Sequence, residues 1–236
     1  MEKYIEVKEI KEKVPFVNLA ITKKEIDAKN IEDLKSVFSG IFTLDNLTSN
    51  IQIHSDIVNV IDESNVASKA EGDALITNLK NVPLLVFTAD CVPVAIIDKT
   101  KKVISVVHAG WRGTYEQIAR KAVEKMMDKY DSKPEDMICV IGPSIGECCY
   151  EVSEDLYNKF NDRFYRPTDE LCKIVDNKYY LNLWNINTCS LEKVGVLKEN
   201  IINLNICTNC NSDKFYSYRA HNQTPKRIGM LLEIIG

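Results

Sequence analysis

Three apolar blocks lying almost end to end constrain this chain more than any other feature. Val82 to Ala89 is one continuous run, Pro93 to Asp98 a second and Val103 to Ala109 a third. Only the polar turn Lys99-Thr100-Lys101-Lys102 separates the last two. Each block has strand length and is bounded by polar or turn-forming residues, which reads as a buried strand. Consecutive strands joined this closely pair antiparallel, because a parallel pair needs a long crossover.

The other elements are strung along the chain without strict strand–helix alternation. A polar helix is expected from about Lys23 to Phe38, with Ile26, Ile31, Leu34 and Val37 as its apolar stripe. Asn50 to Ile61 reads as a strand in which Ile51 and Ile53 point one way, Gln52 and His54 the other. Thr114, with Gln117 three residues on, has the form of a capping box opening a helix to about Lys129. Met137 to Ile141 reads as a strand running into the turn Gly142 to Gly146. Ser153 caps a helix to about Phe160, and Asn182 caps another through Val194 that Gly195 stops. Strands near Ile201 to Cys207, Phe215 to Arg219 and Ile228 to Ile234 complete the pattern. Sheets with helices packed outside fit this order better than a doubly wound parallel fold. With no linker, repeat or low-complexity stretch in sight, residues 1–236 are expected to form one domain.

Charge excludes some functions. A formal net charge of -4 without a basic block gives no reason to expect a nucleic-acid partner. No apolar run approaches the roughly 20 residues that span a bilayer, and the opening MEKYIEVKEIKEK lacks a signal peptide's apolar region. The eight cysteines are scattered over 236 residues. Reduced thiols in a cytoplasmic protein are therefore expected, not a disulfide framework. Cys207-Thr208-Asn209-Cys210 has C-x-x-C spacing without a second pair, and reads as two unconnected structural cysteines. Cys148-Cys149 reads as a vicinal pair in a loop, and His221 as an exposed loop residue.

Of three histidines, two sit beside strands together with a cysteine: His54, Cys91 after the 82–89 run, and His108 at the end of the 103–109 run. Two imidazoles and a thiolate make a competent zinc shell, and three protein ligands leave a fourth position for water or substrate. The spacing matches no short zinc motif. On pattern alone, hydrogen-bonded core or edge histidines and a small buried cysteine are the stronger reading.

Longer motifs change that balance. Thr88-Ala89-Asp90-Cys91-Val92-Pro93 and His108-Ala109-Gly110-Trp111-Arg112-Gly113-Thr114 resemble the signature of the laccase-domain family, whose members are purine nucleoside phosphorylases and peptidoglycan editing factors. Gln52-Ile53-His54-Ser55-Asp56, Gly72-Asp73-Ala74-Leu75-Ile76-Thr77, Ile141-Gly142-Pro143-Ser144-Ile145-Gly146, Cys149-Tyr150-Glu151-Val152, Leu183-Trp184-Asn185-Ile186-Asn187 and Phe215-Tyr216-Ser217-Tyr218-Arg219 resemble further blocks. The resemblance implies an α/β layered sandwich of mixed, largely antiparallel sheets with outer helices. It implies His54, Cys91 and His108 as ligands of zinc, with copper also suited to the donor set. The activity it implies is phosphorolysis of purine nucleosides (adenosine, inosine, guanosine, methylthioadenosine) together with deamination of adenosine. The chain departs from the family pattern around Phe16-Val17-Asn18-Leu19, where an arginine-bearing segment is not recognisable, and at Ala220, where a second arginine is common.

That chemistry assigns expected roles. Deamination needs a carboxyl group to carry a proton, and Asp73 and Asp90 are the candidates, each with a structural alternative. Phosphate suits a planar guanidinium, Arg112 first and Arg219 second. Arg112 also lies just before the helix expected at Thr114, whose N–H groups favour anions. Trp111 is a candidate for stacking on the purine, and simple packing explains it equally well. Two other readings compete. Cys91 and His108 could be nucleophile and base of an amide hydrolase acting on a peptidoglycan precursor. The chain could also be a metal-binding scaffold with a degenerate site.

Overall fold

The computed structural model describes residues 2–164 and 171–236. Strand β1 (Tyr4–Glu6) and helix α1 (Lys8–Lys13) lead into β2 (Val17–Thr22), then α2 (Ile31–Phe38), β3 (Thr48–Ser49), β4 (Val58–Val60) and β5 (Ala74–Thr77). The apolar blocks become β6 (Leu84–Thr88), β7 (Val92–Asp98) and β8 (Val103–Ala109). Helices α3 (Trp111–Tyr115) and α4 (Ile118–Tyr130) follow, then β9 (Met137–Ile141), β10 (Glu151–Val152) and α5 (Glu154–Phe164). The chain ends with β11 (Cys172–Val175), β12 (Lys178–Leu181), α6 (Leu183–Lys193), β13 (Ile201–Asn203) and β14 (Ile228–Ile234).

Two sheets carry the fold. One has the order β1-β2-β14-β6-β3, the other β13-β9-β7-β8-β5-β4, and a three-stranded sheet β10-β12-β11 stands apart. Pairing is antiparallel except where β3, β4 and β13 add parallel edges to β6, β5 and β9. The mixed, largely antiparallel character therefore holds. The turn between β7 and β8 is fixed by Asp98, whose Oδ1 accepts the N–H groups of Thr100 and Lys101 at 2.8 and 2.9 Å.

Period-two alternation explains the layers. Along β7, Ala95 and Ile97 face the other sheet, and so do Ile104 and Val106 of β8; they meet Leu84, Val86, Met230 and Leu232 there. The opposite parity, with Val94, Ile96 and Val107, packs against Ile118, Ala122, Val123 and Met126 of α4 and Ile186 and Leu191 of α6. On the far side Leu85 and Leu231 receive Leu34 and Phe38 of α2. The result is helix, sheet, sheet, helix. Both faces of the central strands are dry, which is why they read as unbroken apolar runs.

Several sequence expectations are corrected. Asn50 to Ile61 is a strand only at Val58–Val60. The N–H groups of Ile53, His54 and Ser55 go to the Asp73 carboxylate and not to a ladder, and His54 has φ 60°. Phe215 to Arg219 is irregular and forms no strand, because Phe215 N–H bonds back to Asn211 and Arg219 N–H to Asp90. Thr114 is not an N-cap: α3 begins at Trp111, and Gln117 turns left-handed between α3 and α4. Helix α2 starts only at Ile31, where the Asn30 side chain accepts the Glu32 N–H. The Asn182 cap is as expected, accepting from Asn185 N–H at 3.0 Å.

The inter-sheet layer holds the structure together, and Ile97 is fully buried within it, far along β7 from the end that carries Cys91. Ile97→Ala is expected to lower unfolding free energy by about 2–5 kcal/mol, because transfer and cavity terms add. Equilibrium urea denaturation checks this, and a loss well under 1 kcal/mol would mean the layer is loosely packed.

Candidate metal centre

His54, Cys91 and His108 converge where β6 and β8 end and β7 begins. Their ligand atoms all lie within 4.8 Å of one another. Cys91 Sγ is 3.9 Å from His54 Nε2, and the two imidazole rings meet edge to face with centroids 4.9 Å apart. Gly110 makes room: a Cβ there would stand 3.0 Å from His54 Cδ2 and 3.2 Å from Cys91 Sγ.

Asp73 organises the set. Just before β5 and wholly buried, its carboxylate accepts the His108 Nδ1–H at 2.7 Å, leaving Nε2 for the site. The same group accepts the N–H of His54 at 3.1 Å and both N–H and hydroxyl of Ser55 at 2.6 and 2.7 Å. Its backbone carbonyl accepts the His108 N–H at 2.7 Å. One residue thus aims a strand-borne imidazole and shapes the turn that presents a loop-borne one. Burial pushes the Asp73 carboxyl up, but hydrogen bonds from His108 and Ser55 outweigh it and bring it to about 2. Burial likewise opposes charge on Cys91, yet His108 and then His54 lower that thiol to about 6. Burial alone would lower His108; the Cys91 sulfur and the Asp73 carboxylate instead raise it to about 9. A thiolate and oriented imidazoles are the donors that a borderline-soft divalent ion takes.

Asp90 precedes the cysteine with φ 82°. Its Oδ1 accepts the Thr208 hydroxyl at 2.6 Å and its Oδ2 the Arg219 N–H at 2.7 Å, while its carbonyl accepts Ile145 N–H. The Cys91 turn is therefore tied to two distant loops.

The ligand set opens into a cavity of about 900 Å³. Among the described residues its lining holds five cationic side chains (Lys29, Lys69, Arg112, Arg219 and Arg227) and Asp90 as its carboxylate. Arg112 and Arg219, the residues expected to meet phosphate, both line the cavity. The Arg112 guanidinium lies over the Trp111 ring at 4.4 Å, and Arg219 donates to the Glu151 carbonyl at 3.2 Å. Asp73 does not line the cavity; it stands behind the ligands. Sequence reasoning missed Lys29, Lys69 and Arg227, along with Phe87 and Tyr150 as aromatic walls. Cys207 and Cys210, expected to be unconnected, and the vicinal pair Cys148-Cys149 instead gather their four sulfurs within 4.8 Å. His221 is half-buried, with Nδ1 accepting the Ser217 N–H at 3.1 Å. No helix among the described residues is long and apolar enough to cross a membrane.

Comparison with known proteins gives the chain a family and a set of relatives. A family model described as multi-copper polyphenol oxidoreductase laccase matches residues 11–236. A purine nucleoside phosphorylase of Clostridium acetobutylicum is 39% identical over 178 residues, 75% of this chain and 72% of that one. An adenosine deaminase from an unknown prokaryotic organism is 34% identical over 185 residues, 75% of this chain and 70% of its own. Two further curated relatives are matched over only 55% and 61% of their own lengths. The crystal structure of the hypothetical protein YfiH of Bacillus licheniformis superposes with a TM-score of 0.88 and 25% identity, covering 99% of this chain and 97% of that one.

Asp73→Asn keeps the shape but replaces an acceptor-only group by one that donates two hydrogens into a ring of donors. Metal affinity is expected to fall about 10- to 100-fold, as for other partners of metal-bound histidine. Chelator competition measures it, and an unchanged affinity would remove Asp73 from the metal's support.

Proposed function

The chain belongs to the multi-copper polyphenol oxidoreductase laccase family, and from that premise we propose that it is a zinc-dependent purine nucleoside phosphorylase that also deaminates adenosine. One observation carries the reading: a His₂Cys set sits in a cavity whose walls, among the described residues, hold five cationic side chains against a single carboxylate. Such a cavity attracts an anionic co-substrate while its aromatic walls take a flat base. The named activities of the Clostridium phosphorylase and the prokaryotic deaminase support both halves.

His54, Cys91 and His108 would hold the ion. Zinc suits the site better than a multi-copper assembly, because the whole sequence has three histidines and two are in this set. When bound, zinc supplies Lewis acidity beside the substrate. The chain's own residues do the rest. In phosphorolysis a phosphate oxygen bonds C1′ as the C1′–N9 bond breaks and the base takes up a proton. Arg112 and Arg219 hold the phosphate through charge-assisted hydrogen bonds. In deamination water adds at C6 and ammonia leaves; Asp90, the carboxylate in the wall, is the proton carrier. Asp73 is a positioning residue, and Trp111, with Arg112 over its ring, holds that guanidinium.

The lowered Cys91 thiol beside His108 favours a second reading, a Cys–His hydrolase acting on an amide of a cell-wall precursor. Metal content separates the two, since a sulfur held by zinc is not free to attack.

Purified protein incubated with inosine should release hypoxanthine only when phosphate is present, and adenosine should also yield inosine. Arg112→Ala and Arg219→Ala are each expected to raise the phosphate KM by roughly 10- to 100-fold, the worth of one or two hydrogen bonds to a charged group. Metal-free wild type that turns over neither nucleoside sinks the phosphorylase and leaves the hydrolase.

A further inference from the structure

Away from the His54–Cys91–His108 set, the fold assembles a second group of metal-binding atoms. The vicinal pair Cys148-Cys149 lies in the loop after β9, and the Cys207-x-x-Cys210 pair lies in the loop after β13. Cys148 Sγ is 3.5 Å and Cys149 Sγ 3.4 Å from Cys210 Sγ, and all four sulfurs fall within 4.8 Å of one another. A zinc ion bonded to four thiolates at about 2.3 Å has sulfurs about 3.8 Å apart, by tetrahedral geometry. The Cys148–Cys210 and Cys149–Cys210 spacings lie a little below that value, and every pair of sulfurs stays within 4.8 Å.

The backbone around the cluster holds this arrangement. Ser144 and Cys207 form a parallel bridge, with Ser144 N–H donating to the Ile206 carbonyl and Thr208 N–H to the Ser144 carbonyl. The Gly146 N–H donates to Cys207 Sγ at 3.3 Å, a contact that favours a thiolate there. Gly146 has no room for a side chain: a Cβ would stand 2.9 Å from Trp184 and 3.3 Å from Cys148 Sγ. Cys207 is buried while Cys148 and Cys210 are exposed, so an ion has a route in from solvent.

We propose that Cys148, Cys149, Cys207 and Cys210 form a second, structural zinc site. Four thiolates complete the tetrahedron and leave no open position, which separates this site from the three-ligand centre in the cavity. Soft sulfur donors in tetrahedral array select zinc over magnesium, calcium or manganese. Binding is a plain exchange: the ion takes the place of the four thiol protons, which pass to the solvent, and no oxidation state changes. The site clips together two loops that both reach the cavity. Ile145 and Tyr150 of the first loop line it, and Thr208, beside Cys207, hydrogen-bonds Asp90 next to Cys91. The proposal does not depend on which reaction the cavity performs.

The test begins with the Cys91→Ala chain, which lacks a ligand of the first centre but keeps the four-cysteine cluster whole. Purified under reducing conditions with zinc and then desalted, it should retain about one zinc per chain by elemental analysis, and wild type about two. Cobalt exchanged into Cys91→Ala should give the near-ultraviolet thiolate-to-metal absorption of a tetrathiolate. Adding Cys210→Ser should abolish both the zinc and the absorption, with circular dichroism confirming that the chain is folded. Chelator should lower the melting temperature of Cys91→Ala, which tests the cluster without any change to it. A Cys91→Ala chain that carries no zinc, carries another metal in its place, or has these cysteines paired as disulfides by thiol titration overturns the proposal. So does zinc that survives Cys210→Ser.

Discussion

A buried carboxylate carries much of the local order around the candidate metal centre. Asp73 is fully enclosed, and an enclosed charge costs several kcal/mol unless donors surround it. Here they do: the His108 ring on one side, the 53–55 turn on the other. Each bond that keeps Asp73 ionised also places a group the site needs. The backbone register reinforces this, because β5 pairs directly with β8 and sets Ala74 opposite Val107, next to His108. Remove the charge and the turn loses its acceptor as the imidazole loses its orientation.

The three candidate ligands differ in how they are held. His108 is embedded in the central strand β8, where both sheets and the helices fix it. Cys91 sits at the head of β7, in a turn held by Asp90's bonds to Thr208 and Arg219. His54 is exposed and rests on a left-handed residue in a loop. Rigid scaffold on one side and loop on the other is the usual division between precision and access.

What was legible in the sequence follows from where each residue finds its partners. β8, β9 and β14 could be read to the residue, because strands dry on both faces write themselves as apolar runs. The Asn182 cap was legible because capping is local. β2 and β5 were not singled out: Val17–Thr22 carries Asn18 mid-strand, and Ala74–Thr77 is only four residues long. The alternation of Ile51, Gln52, Ile53 and His54 imitates a strand, and only a carboxylate some 20 residues away shows why it is not one. The convergence of His54, Cys91 and His108 was suggested by the longer motifs, not by spacing. Lys29, Lys69 and Arg227 reach the cavity from segments with no pattern in common. The C-x-x-C pair was visible, but its partners lie 61 and 62 residues from Cys210, and only the β9–β13 pairing brings them near.

The imbalance of charge on the cavity wall reaches beyond the binding of any one molecule. Ions in the medium screen exposed charges over about 8 Å at physiological strength, but they do so less inside a partly enclosed space. Small anions will therefore compete for these walls, and crowded salt will slow arrival of a charged reactant more than that of a neutral one. For a reaction that consumes one anion and yields another, the attraction that hastens entry also delays departure. An uncharged product leaves without that hindrance, so the order of release is set by the electrostatics of the walls.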